Sequence, residues 1–262
     1  MTSIGRRKLL DELKNIESLR QIVAPSLAVT LPAPEISQVA GIKYWKSQYY
    51  EEFINGKEAI KIFGNIALDC MLNWLQEFRR CTEQKILVSE NLWNELVLTK
   101  VNFLIDNFQN ENIKELLKRL LDFLFDHLYG QEVSIAWIHG DFRLENVFLY
   151  PDGSGVAKVI DWDHAGTFFP VIDEIGLLTS WAIRSYSKMK GVPTIGRRLL
   201  FAYEKLKGWD RGNIFSEMNL CLYWLYRAHL WASYSDAFYL NPAELRDSII
   251  FISKMLKLET MR

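Results

Sequence analysis

Two short apolar runs, Asn146-Val-Phe-Leu-Tyr150 and Val156-Ala-Lys-Val-Ile160, are separated by Pro151-Asp-Gly-Ser-Gly155. Runs of this length around Pro, Asp and Gly read as the strands of a β-hairpin, because those residues supply the φ values a tight reversal needs. The pairing also fixes what flanks it. Asn146, at the start of the first run, is brought beside Asp161, which follows the second. The residues before the hairpin are Trp137-Ile-His-Gly-Asp-Phe-Arg-Leu-Glu-Asn146, so Asp141 sits in a polar loop five positions ahead of Asn146.

An amide oxygen and a carboxylate at adjacent strand ends suit Mg²⁺, which usually keeps several waters and takes one or two protein oxygens beside substrate phosphates. Asn146 and Asp161 are the candidate ligands. Asp141, not needed as a ligand, is left to orient a hydroxyl and accept its proton. Asp163 is either a further metal ligand or the cap of a following turn. A lone His-Gly-Asp says little, since Gly-Asp is ordinary turn chemistry. The joint pattern of three separated elements is what carries weight. His127, His164 and His229 lack metal-ligand spacing and are expected on the surface or packed. Glu145 is expected to face solvent.

His139-Gly-Asp141, four intervening residues, Asn146 and then Ile160-Asp-Trp-Asp163 resemble the Brenner-type signature of the aminoglycoside phosphotransferase and choline kinase-like superfamily, relatives of protein kinases. The resemblance implies Asp141 as catalytic base, Asn146 and Asp161 as metal ligands, and His139 as a brace of the loop at the nucleotide site. Arg143 stands where protein kinases carry a phosphate-contacting Lys. Pro170 and Asp173 resemble the family's Pro-x-x-Asp at the start of the next helix. The implied fold is α+β and protein kinase-like, with a partial N-lobe over residues 1–55 and a mostly helical C-lobe over 56–262. Glu12 is the best match to the Glu of the N-lobe helix, Pro32-Ala-Pro34 to the link that follows, and Tyr49-Tyr-Glu-Glu-Phe-Ile-Asn-Gly56 to the hinge strand. ATP and Mg²⁺ are the implied cofactors.

One part of the family pattern is missing. No Gly-rich phosphate-covering loop and no strand Lys lie upstream of Glu12, and Lys158 is in the wrong strand. A segment lost upstream, a split protein and a pseudokinase all account for this, and the first is preferred. Glu12 would then lack its usual partner, and an uncovered sheet edge would favour self-association.

The remaining sequence sets broad limits. A chain of 262 residues with 49% hydrophobic residues can bury a sizeable core in one large domain or one with a small attachment. A net charge of −1 gives no sign of nucleic-acid binding. Cys70, Cys81 and Cys221 are widely spaced and read as reduced thiols, and no membrane-length apolar run or signal peptide is present, so a soluble cytoplasmic protein is expected. Apolar spacing predicts a helix over 6–23 with Leu9, Leu10, Leu13, Ile16, Leu19 and Ile22 on its buried face. Helical patterns fill most of 58–129, and further helices are expected over 173–188, 195–207, 214–239 and 242–257, the last capped by Asn241-Pro-Ala-Glu244.

For the acceptor, the region from Asp173 to Arg262 has 13 Lys and Arg against 9 Asp and Glu. That balance would repel a polycation, so a neutral or anionic hydroxyl compound such as a sugar or polyol is preferred over an aminoglycoside, with amino alcohols also in range. Tyr223, Tyr226, Trp231, Tyr234 and Phe238 could stack a sugar or cage an ammonium group, but their helical spacing favours the core. A non-catalytic module binding nucleotide or protein is the alternative class. A metal-dependent phosphohydrolase would need more carboxylate or His ligands for a two-metal site.

Overall fold

The structure is a computed structural model, and it describes residues 3–32, 38–39, 42–43, 57–59, 65–186, 195–206, 214–233, 248–250 and 252. The fold class is α+β, helices dominating and strands short and antiparallel. Two compact units are distinguished, one of residues 1–83 with 136–177, the other of residues 84–135 with 178–262.

In the first unit the opening helix α1 spans Ser3–Ile22. Its buried stripe runs through Glu12, Ile16 and Leu19 to Val23 just beyond its end, a 4-3-4 spacing that keeps one side of a 3.6-residue helix inward. Ile22, expected on that face, is instead 46% exposed. The short helix α2 (Pro25–Ala28) opens on a proline, whose fixed φ suits a first helical turn. After it Thr30 O accepts from Val159 N at 2.9 Å, which lays this stretch along the hairpin. Strands β1 (Gln38–Val39) and β2 (Ile42–Lys43) pair with each other. Strand β3 (Lys57–Glu58), in a stretch expected to become helical, pairs with the hairpin instead. Helix α3 (Asn65–Thr82) follows. The hinge strand expected at Tyr49–Gly56 lies outside the described residues.

The hairpin is present as expected. Strand β6 (Val147–Leu149) pairs with β7 (Val156–Val159), Val147 opposite Val159 and Phe148 opposite Lys158, with a register shift before Leu149. Gly153 turns the corner at φ 73°, a conformation L side chains rarely adopt. Beneath it lies an aromatic core. Trp74 stacks on Phe78 and Phe142 at 5.0 and 5.4 Å between ring centres, and the fully buried Trp162 leans against both Trp74 and Phe78.

In the second unit β4 (Gln84–Leu87) pairs with the first residues of β5 (Glu132–Ile138). Strand β4 interrupts the helical reading of 58–129. Helix α4 (Glu90–Trp93) opens on Ser89, and a π-helical turn at Asn94–Leu98 joins it to α5 (Thr99–Asn107). Helix α6 (Glu111–Leu128) is capped by Asn110, whose side chain accepts from Ile113 N, and buries Ile113, Leu117, Leu120, Leu124 and Leu128, while Leu116, which the apolar spacing puts on the same face, is half-buried. Helix α7 (Val171–Tyr186) starts in the first unit, while α8 (Ile195–Leu206) and α9 (Glu217–Ser233) belong to the second. In α9, Tyr223 and Trp224 are buried in the core, while Tyr234, Phe238 and the expected cap at Asn241 lie outside the described residues. The three cysteines are free, and no helix among the described residues is long and apolar enough to cross a membrane.

Candidate active site

Strand β5 delivers the loop. Its last residues pair with β8 (Gly166–Phe168), Ile138 opposite Gly166, so the chain enters His139 beside the point where a second turn leaves. Gly140 then adopts φ 80°, which a glycine reaches without a Cβ penalty. The backbone reversal turns two amides toward one acid. Asp173, on the first turn of α7, accepts from His139 N at 2.6 Å and from Gly140 N at 2.9 Å. Its carboxyl is only 3% exposed, and burial pushes its pKa up to about 7 even though the two N–H donors pull it down. Sequence reading placed Asp173 at the start of this helix but assigned it no partner. The contact spans 34 residues, which no local pattern encodes.

His139 is wholly buried and braces both neighbouring segments. Its Nδ1 accepts from Asp141 N at 3.3 Å, so Nε2 carries the hydrogen and donates to Ile160 O at 2.7 Å. Burial holds its pKa below the usual imidazole value, partly offset by that carbonyl and by the nearby carboxylates of Asp141 and Asp161. The neutral ring lies 4.6 Å from Trp162. With both nitrogens used inside the chain, it positions the loop.

Asp141, Asn146 and Asp161 come together as the spacing predicts. Asn146 Nδ2 donates to Asp141 O at 3.0 Å, and Asn146 O accepts from Ile160 N at 2.9 Å, so one asparagine ties the loop to the end of β7. Spending the amide nitrogen on Asp141 orients the oxygen as the other end of the group. Asn146 is buried at 6% exposure, and Glu145 beside it faces solvent. Arg143 pairs with Asp141, Nη2 to Oδ2 at 2.8 Å, with the Arg side chain 42% and the Asp side chain 11% exposed. Arg143 Nε is buried and makes no hydrogen bond.

Asp161 is the only non-glycine among the described residues with positive φ, at φ 70° and ψ 53°. Aspartate tolerates this left-handed region better than most residues. It opens the turn Trp162–His164, which carries Asp163 3.7 Å from His164 Nε2. Asn15, which sequence reading did not single out, donates to Trp162 O and Ala165 O across this turn at 3.0 and 3.2 Å. Glu12 on the same helix is buried at 3% exposure. Among the described residues no group of three or more His, Cys, Asp and Glu could hold a metal ion. The other histidines are placed as expected. His127 is exposed, and His229 packs edge-on against Phe103, its pKa pushed down to about 4 by burial and by nearby Lys100.

Known proteins resemble parts of this chain. The chain is 26% identical over 102 residues to acyl-CoA dehydrogenase family member 11 of Gallus gallus, a match covering 39% of this chain and 12% of that protein. It is 28% identical over 101 residues to the Homo sapiens protein of the same name, covering 35% of this chain and 13% of that one. The chain thus spans only a small part of the length of these relatives. A crystal structure of aminoglycoside-3'-phosphotransferase of type VIII is 20% identical with a TM-score of 0.44, the match covering 85% of this chain and 80% of that one. The resemblance read from the loop and hairpin is borne out by the family comparison: residues 86–214, which hold Asp141, Asn146, Asp161 and Asp173, match the APH family of phosphotransferase enzymes.

Proposed function

We propose that this chain transfers a phosphoryl group from ATP to a hydroxyl of a small molecule, with Mg²⁺ held by Asn146 and Asp161. The observation that carries the reading is the tie through Asn146, which joins the loop of Asp141 to the strand end of Asp161 in one hydrogen-bonded unit. An amide oxygen and a carboxylate are the hard donors that Mg²⁺ prefers, and a two-oxygen set leaves room for phosphate and water. Bound there, the cation would neutralise charge developing on the transferred group.

The residues divide the work. Asp141 orients the acceptor hydroxyl and takes its proton, which calls for a charged carboxylate within hydrogen-bond reach. Arg143 pairs with that carboxylate and, being partly exposed, can turn to a phosphate oxygen. His139 and Asp173 fix the loop, and Asp163 stands by as a further ligand or as part of the turn. Residues 1–55 are read as a partial N-lobe with Glu12 on its helix, and 56–262 as the C-lobe. The net positive charge after Asp173 favours a sugar or polyol over a polycationic acceptor.

Isothermal titration with Mg·ATP tests the metal pair. Asp161→Asn keeps a residue that tolerates the left-handed backbone but removes the charge. Loss of binding in this variant, with circular dichroism unchanged, supports the assignment. Binding as tight as in the original chain rejects it. Nucleotide binding without consumption of ATP over sugars, polyols, amino alcohols and aminoglycosides would favour the binding-module reading instead.

A further inference from the structure

The backbone on both sides of Asp161 is held, and each holder can be named. On the N-terminal side Ile160 N donates to Asn146 O, and Ile160 O accepts from His139. On the C-terminal side, Trp162 O and Ala165 O both accept from the single amide nitrogen of Asn15. Asn15 lies 147 and 150 residues away in sequence, in the middle of α1, which packs against this turn. Asparagine is a weak helix former, because its side chain competes for backbone hydrogen bonds. Here that side chain is turned away from its own helix, with both amide hydrogens committed to one short turn. Bridging the carbonyls at the two ends of the turn fixes its curvature as well as its place.

Asp161 needs such support. A left-handed non-glycine residue is strained and persists only where its surroundings over-determine it. We propose that Asn15 is a positioning residue for the metal site: its two hydrogen bonds to the Trp162–Ala165 turn hold Asp161 in its left-handed conformation beside Asn146, so cation affinity depends on an amide that touches neither metal nor nucleotide. This rests on the reading of Asn146 and Asp161 as the metal pair. Arg20 supplies the comparison on the same helix, since its guanidinium donates to Leu31 O and Pro32 O, a different segment, at 3.4 and 3.0 Å.

The test uses the full chain and Mn²⁺ as probe, titrated with and without ADP and read by the loss of the free-ion electron paramagnetic resonance signal. Asn15→Leu and Asn15→Asp, the first without donors and the second with an oxygen facing two carbonyls, are compared with Arg20→Leu and Asp161→Asn. Expected is a fall in Mn²⁺ affinity of about tenfold or more in both Asn15 variants, as when groups that orient metal ligands are removed, with metal-free ADP affinity unchanged. Arg20→Leu should lower the thermal midpoint and leave Mn²⁺ affinity alone. Unchanged Mn²⁺ affinity in the Asn15 variants, with Asp161→Asn impaired, overturns the role of Asn15 and leaves the metal pair standing. Mn²⁺ affinity retained in Asp161→Asn overturns both. A joint fall of Mn²⁺ affinity, ADP affinity and thermal midpoint, matched by Arg20→Leu, marks a general structural tie and also overturns the proposal. Asn15→Ser, with one shorter donor, is read by the same outcomes if Asn15→Leu does not fold.

Discussion

The loop from His139 to Asn146 is held by an acid that accepts from its backbone, whereas the turn from Asp161 to Ala165 is held by neutral groups that donate to its backbone. Asp173 gathers two N–H groups of the loop. Ile160 and the turn after Asp161 give their carbonyls to the His139 imidazole and the Asn15 amide. The difference follows from the backbone each segment exposes. A left-handed glycine leaves successive amides pointing the same way, where a carboxylate can collect them, while the turn after Asp161 ends with its carbonyls outward. The loop should therefore respond to charge and pH, and the turn to the loss of a donor.

The largest expected effect concerns the chemistry carried by the loop and leaves its anchoring alone. Asp141→Asn keeps the shape, and Asn146 bonds to the backbone oxygen of residue 141, so the tie survives. Removing a positioned base lowers the rate by about 10²–10⁴. Phosphoryl transfer measured beside urea unfolding should show a slow enzyme of ordinary stability. Normal turnover would remove Asp141 from the reaction.

Asp173→Ala attacks the anchor itself. It orphans two buried N–H groups, each worth about 1–3 kcal/mol, so unfolding in urea should shift by about 3 kcal/mol. A shift no larger than that of a surface change would mean the loop holds itself.

Gly140→Ala asks for the same φ without glycine and should cost about 1–2 kcal/mol. Equal stability, measured the same way, would show that the loop can relax to negative φ and still reach Asp173.

A further effect separates the two kinds of anchor by pH. Asp173 has its pKa raised from 3.8 to about 7, so the folded chain holds this proton more tightly than the unfolded chain. The resulting contribution is fully present below pH 3.8 and is lost as pH rises through 7. Asp173→Asn cannot titrate. The stability gap between the original chain and this variant should therefore be wider at pH 5 than at pH 8. His139 acts in the opposite sense, since its lowered pKa makes acid favour the unfolded chain, but both proteins carry it and it cancels in the comparison. A gap independent of pH would show that Asp173 stays ionised.

What could be read from the sequence was local. The hairpin, the approach of Asn146 to Asp161 and most of the inward face of α6 follow from turn residues and apolar spacing, which act over a few positions. The inward face of α1 was only partly legible, because a buried Glu12 and an exposed Ile22 both run against hydrophobicity. Strand β4 was missed since Gln84-Lys-Ile-Leu87 is short and mostly exposed, so no alternation marks it. The anchors Asp173 and Asn15 act across 33–34 and 147–150 residues, and nothing in their own neighbourhoods specifies those partners.

The distance from Asn15 to its turn also has a consequence for synthesis. Helix α1 is made before the turn it grips, whose carbonyls leave the ribosome only after about 150 more residues, which at roughly 5–20 residues per second is on the order of ten seconds. Through that interval α1, whose buried face carries Ile16 and Leu19, lacks the turn it packs against, so chaperone capture or misassociation competes with native docking.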